Sequence, residues 1–333
     1  MDQKVLYQKG GSIMGKRTKL WLIIAASLIL IGCIIFAGVM TVLKWDFRKL
    51  STVKYETNEY IITEGFKNIA ISANTANVQI LPSENAECRV ICYEHTKVKH
   101  ATKVEGDTLI IESEDTRRWY DYIGIDFRTS AITVYLPKAE YGALTVKNST
   151  GDVEIPGNYT FDSMDIVTST GDVRNEASAT GAVKIKASTG DIFTEDITAG
   201  TLNLTVSTGK VTIKGVACEG DVRVRVSTGD ATLTDVTCNS LITTGNTGKV
   251  TMNNVVAKEK FNIKRSTGDV KMDGCDAAEI HVETDTGSVT GTLLSEKVYI
   301  VDTDTGNVTV PESVTGGKCK ISTNTGNIKI KTP

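Results

Sequence analysis

The sequence has no large excess of either charge: 37 Lys plus Arg stand against 40 Asp plus Glu, a formal net charge of -3. So close a balance excludes a polybasic tail and strong steering of an anionic partner, and no nucleic-acid partner is expected. Histidine is scarce, and His95, His100 and His281 give no zinc-ligand spacing. The seven cysteines, Cys33, Cys88, Cys92, Cys218, Cys238, Cys275 and Cys319, form no metal motif, and their odd number leaves at least one unpaired within the chain. No metal or cofactor is implied. One apolar run and one elongated repeat domain account for the chain, so no stretch remains for a separate catalytic domain.

Residues 20–43 form a run of 24, beginning at Leu20 and ending at Leu43, that contains no charge. It is long enough to cross the hydrocarbon core of a bilayer. Lys4, Lys9, Lys16, Arg17 and Lys19 precede it and Lys44, Arg48, Lys49 and Lys54 follow, a five-to-four basic count that favours an N-terminus in the cytoplasm. Trp21 and Trp45 suit the two interfaces. The expected organisation is a cytoplasmic tail over 1–19, a transmembrane anchor over 20–43, a linker over 44–65, a repeat domain over 66–330 and a tail over 331–333. The expected location is the bacterial cytoplasmic membrane, crossed once, with the repeat domain on the extracytoplasmic side. Leu30-Ile31-Gly32-Cys33 resembles a lipoprotein cleavage box, so lipidation at Cys33 is the alternative. Against it, Ile34 to Leu43 stays apolar where a mature lipoprotein continues into a polar tether.

The repeat is carried by a Ser-Thr-Gly-Asp-Val-like signature. Its glycines are Gly151, Gly171, Gly190, Gly209, Gly229, Gly248, Gly268, Gly287, Gly306 and Gly326, always 19 or 20 apart and always preceded by threonine. Two residues after each comes an apolar side chain, from Val153 to Ile328, and pairs such as Leu202 and Leu204 lie seven and five residues before. Polar residues alternate with them, so each unit carries at least two short half-buried strands. Such a unit cannot bury its own apolar face and must stack on its neighbours. Coiled in register, each strand pairs with its equivalent one turn on, at about 4.8 Å per coil. The fold class is all-β: a single-stranded parallel β-helix of about 19–20 residues per coil, preceded by one transmembrane helix. The glycines occupy its corners.

Upstream the pattern is degraded, so 66–143 is expected to form irregular N-terminal coils and a cap, with regular repeats over 144–330. Asn74-Thr75-Ala76-Asn77-Val78 resembles the same corner with Ala for Gly. Trp119, Tyr120, Tyr122 and Phe127 interrupt the alternation. They either shield a sheet edge at the first coils or present a partner-binding surface.

Several motifs have plainer readings than their chemistry suggests. Asp285-Thr286-Gly287 and Asp304-Thr305-Gly306 resemble aspartic-protease triplets, whose carboxylates must share a proton, but they fill the corner register one coil apart. Asp152, Asp172, Asp191, Asp230 and Asp269 follow corner glycines and could ladder along the axis or hold calcium, while Lys210 and Lys249 break that column. Cys218 and Cys238 share a column with Ala199, Ala257 and Ala277 and are expected to be small buried thiols on adjacent coils. Cys88 and Cys92, four apart in an apparent strand, are too far apart to bridge. Lys184, Lys186, Arg223, Arg225 and Lys264 fall on outward columns as a solvated face.

With Leu136-Pro137-Lys138, the alternation from Leu144 to Val146 and the corners at Gly151, Gly171, Gly190 and Gly229, the chain resembles the bacterial DUF4097 family, also described as an adhesin family. The resemblance covers about residues 66–330. It implies a right-handed single-stranded β-helix, often membrane-tethered and exported, and some relatives are linked to envelope stress responses. It offers no catalytic residues to carry over. The expected function is therefore a non-enzymatic, membrane-anchored envelope scaffold or adhesin-like binding module, with an unknown envelope protein or cell-wall component as partner. An envelope-stress sensor or regulatory interaction protein is the alternative, and a polysaccharide-active β-helix enzyme the third reading.

Overall fold

The structure is a computed structural model that describes residues 15–50, 53–85, 87–122 and 128–332. Most of the expected tail, with Lys4 and Lys9, lies outside these residues, as do Phe127 and the final Pro333.

Helix α1, Lys16–Val42, spans 27 residues with no acid in its first turn. Leu22, Leu28, Ile29, Leu30, Ile34, Ile35 and Phe36 are all exposed. A helix apolar on every side meets its backbone needs internally and leaves its side chains for lipid; α1 is long and apolar enough to cross a membrane. It ends at Leu43, where Lys44 and Trp45 take φ of 54° and 56° and the Trp45 N–H returns to the Met40 carbonyl at 2.8 Å.

The second unit is a parallel β-solenoid whose regular coils have three sides. In one coil, the strand Thr198–Thr208 carries Leu202, Leu204 and Val206 inward along the first side. The chain then turns at Gly209, and Val211–Cys218 supplies the second and third sides, burying Val211 and Ile213, then Val216 and Cys218. Between these sides Gly215 takes φ of 62°. That second corner is a column of its own: Asp196, Gly215, Asp235, Asn254 and Gly274 all have φ between 53° and 62°. Asp, Asn and Gly are the residues that tolerate this left-handed region. Their variety hid the column from a search for an invariant residue. Successive coils pair in parallel, Leu202 with Val222 and Val211 with Ala231.

Before the regular repeats come β1 (Tyr55–Ile62), β2 (Asn68–Pro82), β3 (Cys88–His95), β4 (Val98–Glu105), β5 (Thr108–Asp115) and β6 (Ser130–Leu136). β2 is a true coil. Thr75 pairs with Thr150 and Val78 with Val153, which puts Ala76 at the corner. Its other edge pairs in parallel with β5 and β6. β6 continues antiparallel into β3 and then β1, and β5 into β4, forming the cap. Residues 55–62, expected within a linker, are thus a strand: Tyr55 stacks on Tyr93 at 5.0 Å, and Tyr60 and Ile62 pack against the core.

The far end departs from simple stacking as well. Gly317–Thr325 pairs with Glu279–Thr286 on one side and with Lys297–Thr305 on the other. The last coil in sequence is therefore inserted between the two before it. Each end of the solenoid shares this device, since β2, the first coil in sequence, likewise lies inside the coil made by β5 and β6. A coil held by ladders on both edges cannot peel away as a terminal one can. The outermost coil is tied down by Lys297, which is buried and pairs with Asp276 at 2.6 Å.

Candidate functional site

The corners show first what the repeated residues do. Each corner glycine from Gly151 to Gly326 has φ between 128° and 157°. A Cβ there would overlap the carbonyl of the neighbouring coil, for example Gly190 O above Gly209. Both the backbone conformation and the close approach therefore demand glycine. The aspartates beside them form a ladder: Asp152 Oδ1 accepts the Asp172 N–H at 2.9 Å, Asp172 Oδ1 that of Asp191 at 2.8 Å, and Asp191 Oδ1 that of Lys210 at 2.7 Å. Asn77 begins the series by accepting from Asp152 N–H at 3.0 Å. Each carboxylate thus satisfies a backbone donor one coil on, which accounts for the column without a bound ion. Asp285 and Asp304 are further apart than expected, because the coil of Gly326 stands between those of Gly287 and Gly306. Two ladder steps, about 9.6 Å, are too far for carboxylates to share a proton. A register shift in the later coils pairs Leu293 with Cys275.

The third side holds a concavity that crosses successive repeats. Ala179, Ala199, Cys218 and Cys238 bury only small side chains there, and Thr180, Thr198, Ala217 and Thr237 keep the outer surface low. The result is a trough of about 730 Å³ crossing successive coils, with Glu219 and Lys258 in its lining. Burial pushes the Cys218 thiol up and Cys238 up to about 12, so both are protonated, and neither is bridged. A second hollow, about 380 Å³, lies on the first side, lined by Arg225, Lys264, Arg265, Glu283 and Asp285 among others.

In the cap, β3 and β4 bring together three residues that spacing did not connect. Cys92, Glu94 and His100 are buried, and one ligand atom of each lies within 4.8 Å of the others. Alternation sends Cys92 and Glu94 to the same face of β3, and the short turn into β4 returns His100 against them. Glu94 Oε2 accepts the His100 backbone N–H at 2.7 Å and lies 2.7 Å from its Nδ1, while Glu94 Oε1 accepts from Asn58 Nδ2 at 2.6 Å. Burial, and then the Glu94 charge, push the Cys92 thiol up to about 12.

The model of the Toastrack DUF4097 family matches residues 66–224 and 219–333, and so covers β2 to β6, the trough and every corner glycine. The chain belongs to this family. This Toastrack chain is similar in structure to a "putative adhesin" from Bacteroides fragilis NCTC 9343, with 16% identity over 84% of this chain and 97% of that chain and a TM-score of 0.40. A "putative adhesin" from Parabacteroides distasonis ATCC 8503 has 14% identity, 84% and 98% coverage and a TM-score of 0.42. A "putative lipid binding protein" from the same organism has 14% identity, 84% and 98% coverage and a TM-score of 0.36. None of the curated proteins matches the sequence.

On the Toastrack cap, the described part of the aromatic segment is exposed. Trp119, Tyr120 and Tyr122 lie on the one-turn helix Trp119–Tyr122 with exposures of 77%, 46% and 61%. Charges hold the turn in place. Arg117 pairs with Asp115 at 2.6 Å and stacks on the Tyr122 ring at 4.4 Å, and Lys97 pairs with Asp121. The Arg117 hydrogen bonds hold the Asp115 carboxyl down to about 2. His281 is partly exposed, 3.5 Å from Glu283.

Proposed function

We propose that this Toastrack chain is a non-enzymatic binding module of the cell envelope, held in the cytoplasmic membrane by an uncleaved span over residues 20–43 with its solenoid on the extracytoplasmic side. The trough on the third side carries this reading. Repetition gives it the same small-residue floor at each coil, so it matches an extended partner better than a compact substrate. Its lining offers hydroxyls, one acid and one base, and suits a wall polymer or an extended segment of an envelope protein. The five-to-four basic count supports the direction, and the continuous apolarity of α1 past Cys33 supports an anchor over lipidation.

A regulatory interaction protein is the second reading, favoured by the exposure of Trp119, Tyr120 and Tyr122 on a turn fixed by ion pairs. Rigid exposed aromatics are typical interface anchors. In-cell proximity crosslinking of the intact chain, of a Trp119→Ala/Tyr120→Ala variant and of an Ala199→Arg variant separates the two. Loss of wall components with Ala199→Arg alone supports the binding module, whereas loss of signalling proteins with the aromatic variant alone supports the regulator. Turnover of a purified glycan would sink the non-enzymatic reading. Intact mass and protease access in wall-stripped cells test the anchor and its direction; protection of the solenoid would put it in the cytoplasm.

A further inference from the structure

The buried polar centre of the cap is more than an ion pair set in a core. Its carboxylate is held from three directions, by the His100 ring, the His100 backbone N–H and the Asn58 amide, with both oxygens engaged. The bonding of the remaining atoms is incomplete. His100 Nε2 is buried with no hydrogen-bond partner, and so are the Ser113 and Thr102 hydroxyls. Ser113 lies directly opposite His100 in the β4–β5 ladder, and Thr102 is two residues further along the same face of β4. Thiol, carboxylate and imidazole converge among them. Buried polar atoms are nearly always paired, so a group of them without partners marks a place where something other than protein completes the bonding.

We propose that Cys92 Sγ, Glu94 Oε2 and His100 Nδ1 bind one divalent transition-metal ion of the zinc type. The ion takes the place of the proton shared by Nδ1 and Oε2, which passes to Nε2 of the same ring; the thiol gives up its proton to solvent, and a water fills the fourth position. One sulfur, one nitrogen and one oxygen ligand suit zinc or cobalt, whereas calcium and magnesium take oxygen ligands almost exclusively. Asn58 and the His100 backbone N–H are the supporting bonds that keep the carboxylate aimed, as outer partners do in established metal sites. The ion-bound water serves the Ser113 and Thr102 hydroxyls, while Nε2, on the far side of the ring from the ion, carries the proton. Such a site joins β3 to β4, and through them joins the β1–β3–β6 ladder to the β4–β5 ladder. Its role would be to hold the cap together, independently of what the trough binds.

The test uses the full chain, expressed with zinc in the medium and purified in detergent without chelator. Metal analysis should find about one zinc per chain. X-ray absorption at the zinc edge should show a single sulfur at about 2.3 Å with nitrogen and oxygen at about 2.0–2.2 Å. Cys92→Ser and His100→Gln should each lower the zinc content at least tenfold, while Cys88→Ser, an equally buried thiol on the same strand, should retain it. A wild-type chain with far less than one zinc, or a zinc shell without sulfur, overturns the proposal, as does a content that neither substitution changes. The absorption spectrum needs only the wild-type chain, so the test survives a variant that fails to fold.

Discussion

Arg265 donates from Nη1 to the Val226 carbonyl at 2.9 Å, although their coils are not adjacent. It reaches across Gly245, the residue paired with it in the ladder, whose missing side chain leaves the space. Arg265 is 3% exposed, Nε and Nη2 have no hydrogen-bond partner, and burial pulls its pKa down. A guanidinium so poorly compensated costs stability. Arg265→Met, which keeps the bulk, should leave urea stability unchanged or raise it by up to about 3 kcal/mol. A loss beyond about 2 kcal/mol would show that the single bond to Val226 outweighs desolvation.

At the corners, glycine and aspartate should differ in weight. Gly209→Ala meets both a φ of 143° and the Gly190 carbonyl, and should cost at least about 3 kcal/mol in denaturant unfolding. Asp191→Ala loses one acceptor for the Lys210 N–H and should cost about 1 kcal/mol. Asp191→Asn keeps an oxygen there and should stay within about 0.5 kcal/mol of wild type. Equal losses for Asn and Ala would place the effect in the charge rather than the ladder.

The aromatic turn should respond to acid. Asp115 has its folded pKa depressed from the ordinary 3.8 to about 2, first through its hydrogen bond with Arg117. Its contribution is therefore complete above the unfolded value and is lost as pH falls through the folded one. Fluorescence from the segment containing Trp119 should hold steady from neutral pH to about pH 4 and change between about pH 4 and pH 2. In Arg117→Gln that change should move upward toward the ordinary carboxylate range; an unmoved midpoint would remove Arg117 as its cause.

Cys218 and Cys238 continue the ladder in which Ala217 pairs with Thr237, so they occupy matching places on adjacent coils. With both thiols buried, their alkylation at pH 8 should be slow in the folded chain and fast in urea. Non-reducing peptide maps should contain both as free thiols. A Cys218 to Cys238 crosslink would overturn this, and would mean that the trough floor closes in an oxidising compartment.

The corner glycines were legible in the sequence because their cause is local and recurs every coil: one backbone conformation and one close contact, neither of which another residue can supply. The alternation beside them made the inward face equally plain, and the unbroken apolar run marked α1. Tertiary structure alone decided which coil neighbours which. Ile328 fits beside Val289 as well as beside Val308, and in fact pairs with both, so chemically equivalent repeats carry no record of their order. The buried centre of the cap was hidden for a related reason. Cys92 and Glu94 show only a strand's alternation, and His100 joins them through the turn between β3 and β4. Sequence periodicity reports which face a residue occupies; only the closed fold determines what it meets there.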